Sequence, residues 1–79
     1  MIGNLSDIKK INDFFRTAIR KDIENIENEL LFTEIQAKIF RMFYINRKDI
    51  GFISDELGFS RDAVDKQLKY IRMKILKIL

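Results

Sequence analysis

The last twenty residues of the chain hold its whole excess of positive charge. Residues 60–79 contain six lysines and arginines and two carboxylates, a net charge of +4, while residues 1–31 carry −1 and residues 32–59 carry none. Lysine and arginine bind polyanions by displacing the counterions condensed on phosphate groups. The segment therefore favours contact with phosphates. Basic residues near a helix C-terminus also complement the helix dipole and keep a surface soluble, and this simpler interpretation stays open.

The residue types that are missing exclude several kinds of chemistry. The chain has 79 residues with no cysteine and no histidine, so thiol chemistry, disulfides, Cys/His metal sites and imidazole acid–base catalysis are absent. We expect a protein that is not an enzyme and needs no metal or cofactor. The N-terminal run MIGNLSDIKKIND is interrupted by charges and resembles neither a signal peptide nor a membrane span. We expect a cytoplasmic protein with no membrane attachment.

The elements that must position the basic segment are predicted to be helices. The chain has no proline and only three glycines, so it has few of the residues that favour turns. Apolar residues recur at intervals of three and four, as on the buried face of a helix. We predict a single all-α domain over residues 1–79, with four helices at about 5–30, 33–46, 49–57 and 60–78.

The first predicted helix carries one long apolar stripe. Its members are Leu5, Ile8, Ile11, Phe15, Ile19, Ile23, Ile26 and Leu30. Ser6 or Asn4 is the expected N-cap. A second set, Phe14, Ala18 and Asp22, flanks the stripe and broadens its N-terminal half. This helix therefore either covers the core left open by three short helices or mediates a homodimer, as small DNA-binding proteins often do.

Capping residues predict the remaining connections. Thr33 and Asp49 are expected to cap the second and third helices, and Asn46 is expected to end the second in a left-handed conformation. Gly58 should end the third helix in the same conformation, and Ser60 should cap the last one. A short helix, a glycine turn and a second helix form the outline of a helix-turn-helix.

The last predicted helix separates apolar residues from charged ones. Val64, Leu68, Ile71 and Ile75 follow a spacing of four, three and four, which predicts a buried stripe. The opposite face carries Asp62, Lys66, Lys69, Met73 and Lys77, with Arg61, Asp65 and Arg72 on one shoulder and Lys74 on the other. The major groove of DNA admits one α-helix. A basic helix that follows a tight turn therefore favours DNA binding.

A family resemblance covers residues 32–76, more than half of the chain. This segment, FTEIQAKIFRMFYINRKDIGFISDELGFSRDAVDKQLKYIRMKIL, resembles the fourth conserved region of bacterial RNA polymerase sigma factors and, more loosely, the LuxR-type domain. The matching positions are Thr33, Gln36, Ile39, Phe40, Ile53, Leu57, Gly58, Phe59, Ser60, Val64 and Leu68. Residues 60–79 read as one unbroken helix, which favours the sigma-like family because the LuxR-type domain adds a further helix.

The polar positions depart from the family pattern. Phe52 stands where Glu is usual, Ser54 replaces Ala, and Ala63 replaces Thr or a basic residue. Ser54 is still small enough to lie between crossing helices. Asp62 and Asp65 stand on the helix expected to face DNA. A carboxylate there repels phosphate, but it either accepts a hydrogen bond from cytosine N4 or favours the helix N-terminus through the dipole.

The resemblance implies a DNA site of nine residues. By position, it assigns Arg61, Asp62, Asp65, Lys66 and Lys69 to base edges or nearby phosphates, and Arg41, Arg47, Lys48 and Arg72 to the DNA backbone. It implies a promoter-recognition-like module alone, because 79 residues are too few for the parts of a sigma factor that bind the polymerase core and melt DNA.

Two functions follow from these observations. The first is a sequence-specific, dimeric regulator of transcription that binds double-stranded DNA through its last helix. The second is a protein-interaction module that binds RNA polymerase or a sigma factor, with weak or no DNA binding. The acidic residues of the last helix and the short chain favour the second function. The two respond differently to salt, because only phosphate contacts make the logarithm of affinity fall linearly with the logarithm of salt concentration.

Overall fold

The structure, a computed structural model, describes residues 5–79, and this part of the chain is all helical with no strand. The five α-helices are α1 (Leu5–Thr17), α2 (Arg20–Glu29), α3 (Glu34–Phe40), α4 (Ile50–Leu57) and α5 (Arg61–Leu76). Residues Arg41–Ile45 continue α3 as a π-helical turn. The all-α prediction is confirmed, but four helices is wrong. No helix within residues 5–79 is long and apolar enough to span a bilayer.

The predicted helix 5–30 is divided by an elbow at residues 18–19. Ile19 has an extended backbone (φ −84°, ψ 164°), and its N–H donates to the Asp22 carboxylate over 3.3 Å. A straight helix over 5–30 would be about 39 Å long at 1.5 Å per residue, whereas the longest dimension of the described residues is 30 Å. The elbow folds both halves of the apolar stripe back onto one core.

The elbow changes which stripe residues are buried. Ile11 and Phe15 on α1, and Ile23 and Ile26 on α2, belong to the core, whereas Leu5 is 84% exposed and Ile19 is 63% exposed. The prediction of one continuous buried stripe is therefore wrong at these two positions. Ser6 lies inside α1 and does not cap it. Asn4, the alternative cap, lies outside the described residues.

The N-terminus of α3 is capped as predicted, but its end differs. The Thr33 hydroxyl accepts from the Gln36 N–H (3.1 Å), and the Gln36 side-chain carbonyl accepts from the Thr33 N–H (3.2 Å). This reciprocal pair is a capping box. At the other end, Asn46 is right-handed (φ −88°), and Arg47 instead takes the left-handed conformation (φ 59°). The prediction of a left-handed Asn46 is wrong by one residue, because the preceding π-helical turn shifts the end of the helix.

Both ends of α4 and the start of α5 are capped as predicted. Asp49 Oδ1 accepts from the Phe52 N–H (2.8 Å), and Ser60 Oγ accepts from the Ala63 N–H (3.1 Å). Gly58 is left-handed (φ 74°). The Phe59 N–H donates to the Ser54 carbonyl over 3.0 Å, which closes α4 with a Schellman-type bond. The predicted roles of Asp49, Gly58 and Ser60 are confirmed.

Helix α5 lies at the centre of the core. Val64, Leu68, Ile71 and Ile75 are fully buried, as their spacing predicted, and α5 packs against α1, α3 and α4. Burying each such side chain contributes about 1.5–3 kcal/mol to folding. Ser54 on α4 is also buried, consistent with the predicted need for a small side chain there. The core therefore fixes α5 by one face and leaves its opposite face exposed.

Candidate nucleic-acid interface

The exposed face of α5 carries two of the predicted contact residues side by side. Lys66 and Lys69 are exposed on the side of the helix opposite the buried stripe. Lys69 Nζ lies 3.9 Å from the Asp65 carboxylate, a solvent-exposed pair of the kind that contributes about 0–1 kcal/mol. Lys66 makes no ion pair within residues 5–79. Both ammonium groups are therefore free to exchange their present surroundings for phosphate.

Arg61, the first residue of α5, lies against the first turn of α4. A Cβ atom on Gly51 would stand 2.9 Å from Arg61 Nη2 and 3.4 Å from Asp49 Oδ1. The guanidinium thus occupies the space that a side chain at position 51 would need. Gly51 was not among the predicted site residues, since nothing in the sequence connects it with Arg61. The close approach places a positive charge at the junction of α4 and α5.

The two carboxylates of α5 differ in their surroundings. Asp62 is exposed in the first turn of the helix, where a negative charge interacts favourably with the helix dipole. Asp65 is half-buried and pairs with Lys69, four residues along the same helix. Each carboxylate therefore has a structural role in the free protein.

Arg47 and Lys48 lie at the entrance to α4 and line a groove with α1. Arg47 Nη2 donates to the Phe15 carbonyl over 3.5 Å, and Lys48 Nζ stands 5.0 Å above the Phe52 ring. Together with Arg16 of α1, they surround a groove of about 430 Å³ whose apolar lining is Phe15, Phe43 and Tyr44. Arg16 was missed in the sequence because α1 lies outside the resemblance to a known family.

Arg72 and Arg41 have partners away from the exposed face of α5. Arg72 lies 5.9 Å above the Phe43 ring and beside Tyr44, whose hydroxyl is buried without a hydrogen-bond partner among the described residues. Burial raises the pKa of Tyr44, and the Arg72 guanidinium opposes that rise. Arg41 Nε donates to Glu27 over 2.8 Å, and this hydrogen bond raises the pKa of Arg41. Both arginines thus support the packing of the π-helical turn.

A second groove lies between the start of α3 and α5. It has a volume of about 390 Å³ and is lined by Ile35, Phe59, Ala63 and Tyr70 together with polar side chains. Phe59 and Tyr70 are 40% and 45% exposed. The groove thus presents two aromatic side chains to solvent.

A hydrogen-bonded network lies beneath the second groove and joins α3 to α5. Gln36 Nε2 donates to Gln67 Oε1 over 3.2 Å. Lys74 Nζ donates to Gln36 Oε1 over 2.7 Å and to the Leu31 carbonyl over 3.0 Å. Gln36 is buried, so this network satisfies a polar side chain that would otherwise destabilise the core. It also anchors the C-terminal half of α5 to the segment before α3.

No protein-family model, characterised protein or solved structure matches the chain. Within residues 5–79, no group of three or more carboxylate, histidine or cysteine residues is arranged to hold a metal ion. The structure exposes Lys66 and Lys69 on one face of α5. It places Arg61 against the first turn of α4 and puts Arg47 and Lys48 in one groove directly before that helix.

Proposed function

We propose that the protein is a non-enzymatic DNA-binding regulator of transcription, in which α4, residues 58–60 and α5 form a helix-turn-helix. The observation that carries the proposal is the difference between the two faces of α5. One face is fully buried through Val64, Leu68, Ile71 and Ile75, and the opposite face presents Lys66 and Lys69. A helix held this way is available for insertion into the major groove of DNA.

The dimensions of α5 and its place in the fold support the proposal. Its 16 residues correspond to about 24 Å of helix, enough to follow the major groove across several base pairs. The network around Gln36 and Lys74 fixes its C-terminal half. The Schellman-type turn fixes its start. DNA would therefore meet a preformed surface, and binding would cost little ordering entropy.

The sigma-like assignment and the homodimer belong to the same proposal. Ile53, Val64 and Leu68, which match the family pattern, are fully buried, and Gly58 has the left-handed backbone that the pattern requires. Leu5 and Ile19 are apolar and exposed, which supports α1 and the elbow as a contact between two copies. In such a dimer, two α5 helices would meet adjacent half-sites about 34–36 Å apart.

The first prediction tests DNA contact by α5. We expect Lys66→Ala with Lys69→Ala to weaken binding to duplexes selected from a random pool, because two phosphate contacts are lost. The slope of log affinity against log salt concentration should become shallower by about 0.9 for each lost contact. Fluorescence anisotropy at several salt concentrations measures both quantities.

The matched control removes the same charge from another helix. Lys9 and Lys10 are exposed on α1, so Lys9→Ala with Lys10→Ala changes the net charge equally while leaving α5 intact. We expect the control to bind with nearly the wild-type slope. If the two double variants behave alike, or if wild type shows no sequence preference, α5 does not read DNA and the proposal fails.

The second groove favours a second candidate function. Phe59 and Tyr70 present apolar surface beside Ile35, and exposed aromatic side chains are common anchors in protein interfaces. A module that binds RNA polymerase or a sigma factor would use this groove. Its binding to the purified polymerase or sigma factor should be lost in Tyr70→Ala and should change little with salt, whereas DNA binding should show the opposite pattern.

A further inference from the structure

The groove between α1 and the start of α4 is rich in positive charge. Arg16, Arg47 and Lys48 line it together with a single carboxylate, Asp49. The Asp49 side chain also accepts the hydrogen bond from Phe52 N–H that caps α4. The lining therefore has a net charge of +2, from three cations and one anion. This surface favours an anionic ligand.

Arg61, at the start of α5, lies close to Asp49, which lines this groove. Lys48 Nζ lies over the ring of Phe52 on α4, and the Arg61 guanidinium lies at Gly51, near the Asp49 carboxylate. Lys48 and Arg61 therefore lie at the first turn of α4, and Arg16 and Arg47 line the same groove as Lys48. The cations of the groove and Arg61 thus lie on neighbouring parts of the surface, between α1 and the start of α5.

The cations of the groove are held only weakly in the free protein. Arg16 pairs with Asp13 at 3.4 Å, and both side chains are largely exposed, so the pair is strongly screened by water. The bond from Arg47 to the Phe15 carbonyl is long, at 3.5 Å. Arg47 also has a left-handed backbone (φ 59°), which is uncommon for a residue with a side chain and occurs often at functional sites. A phosphate can therefore replace these partners.

We propose that this groove binds a backbone phosphate of DNA beside the bases that α5 reads, so that α1 contributes to the interface from outside the helix-turn-helix. The inference rests on the proposed DNA-binding function. A small-ligand site usually buries 70–90% of its ligand, whereas Arg16, Arg47 and Lys48 are all exposed. An exposed groove of this kind suits a phosphate that approaches from one side while it remains part of a duplex.

The test compares two arginines that differ in position and little else. Arg16 pairs with Asp13 at 3.4 Å with 75% of its side chain exposed, and Arg20 pairs with Glu24 at 3.4 Å with 76% exposed. Only Arg16 lines the groove. We expect Arg16→Ala to make the salt slope of duplex binding shallower by about 0.9 and to weaken binding equally for all sequences. Arg20→Ala should leave the slope unchanged.

Arg47→Ala provides a second variant for the same groove, and its effect should resemble that of Arg16→Ala. Thermal unfolding of each variant verifies that the fold is retained. If Arg16→Ala and Arg20→Ala give equal slopes while Lys66→Ala with Lys69→Ala still weakens binding and makes its slope shallower, the groove inference is overturned and the DNA-binding function stands. If wild type itself does not bind duplex DNA, the proposed function fails, and the groove inference fails with it.

Inorganic pyrophosphate, titrated at constant ionic strength, distinguishes a free phosphate from the DNA backbone. NMR chemical shifts of the arginine side chains report its binding. Saturable binding that depends on Arg16, combined with an unchanged DNA slope in Arg16→Ala, would assign the groove to a free anion and overturn the inference. A DNA slope that becomes shallower in Arg16→Ala, with no saturable binding of pyrophosphate, supports it.

Discussion

At the scale of single residues, the Arg61 side chain of α5 lies close against Gly51 of α4. A Cβ at position 51 would lie 2.9 Å from the Arg61 guanidinium, closer than nonbonded atoms normally approach. Glycine inside a helix costs up to about 1 kcal/mol relative to alanine. Glycine at position 51 therefore makes α4 less stable than alanine would, but it leaves room for the Arg61 guanidinium against the backbone. This arrangement is expected if the position of Arg61 matters more than the stability of α4.

Gly51→Ala should therefore separate stability from DNA binding. We expect the free energy of unfolding to stay level or rise by at most about 1 kcal/mol, because the flexible end of Arg61 moves aside. DNA affinity should fall, because Arg61 loses its position. Urea unfolding and fluorescence anisotropy measure the two effects. In Arg61→Ala protein, Gly51→Ala should have no further effect on binding. Wild-type affinity for Gly51→Ala alone would show that the position of Arg61 is irrelevant.

At the scale of the elements, local capping was predictable from the sequence and long-range packing was not. The caps Thr33, Asp49 and Ser60 and the left-handed Gly58 depend on neighbours within four residues, and the structure confirms them. No glycine or proline at the elbow, residues 18–19, predicts a break in the helix there. The three- and four-residue spacing continues across it, because both halves of the stripe face the same core. The π-helical turn likewise has no local sequence signal.

Gly58 carries the connection between α4 and α5 through its backbone alone. Nothing lies within 4 Å of a Cβ placed on it, and its φ is +74°. Gly58→Ala should therefore lower the free energy of unfolding by about 1 kcal/mol, the cost of a left-handed residue with a side chain. Thermal or urea unfolding measures the loss. Gly58→Asn should lose less, because asparagine tolerates this conformation better. Equal losses for both variants would point to a cause other than backbone conformation.

At the scale of the whole molecule, the fold is organised around α5. This helix contacts α1, α3 and α4 and contributes four of its fully buried residues, Val64, Leu68, Ile71 and Ile75. The apolar spacing of α5 was enough to predict this core and the exposed lysines opposite it. The position of Arg16 in the groove and the contact of Gly51 with Arg61 were not predictable. Predicting them requires knowing that α1 lies beside the start of α4 and that the Arg61 side chain folds back onto that turn.

Because α1, α3 and α4 all pack on α5, damage to the buried face of α5 should unfold the molecule as a unit. Leu68→Ala should lower the free energy of unfolding by about 2–5 kcal/mol, a large part of the roughly 5–15 kcal/mol typical of a small domain. Met73→Ala, on the exposed side of the same helix, should change it by about 0.5 kcal/mol or less. Calorimetry should show a single transition in each variant. A separate transition for α1 and α2 would contradict this dependence.

The π-helical turn at Arg41–Ile45 has a consequence for how the chain tolerates changes in length. In this turn the Asn46 N–H reaches back five residues to the Arg41 carbonyl, over 2.9 Å, instead of the four of an α-helix. It therefore holds one residue more than an α-helical turn would. We expect deletion of one residue there to restore regular α-helix and to leave α3 and α4 in place. Residues 58–60 hold no such surplus, so variation in length among related sequences is expected before α4 and not before α5.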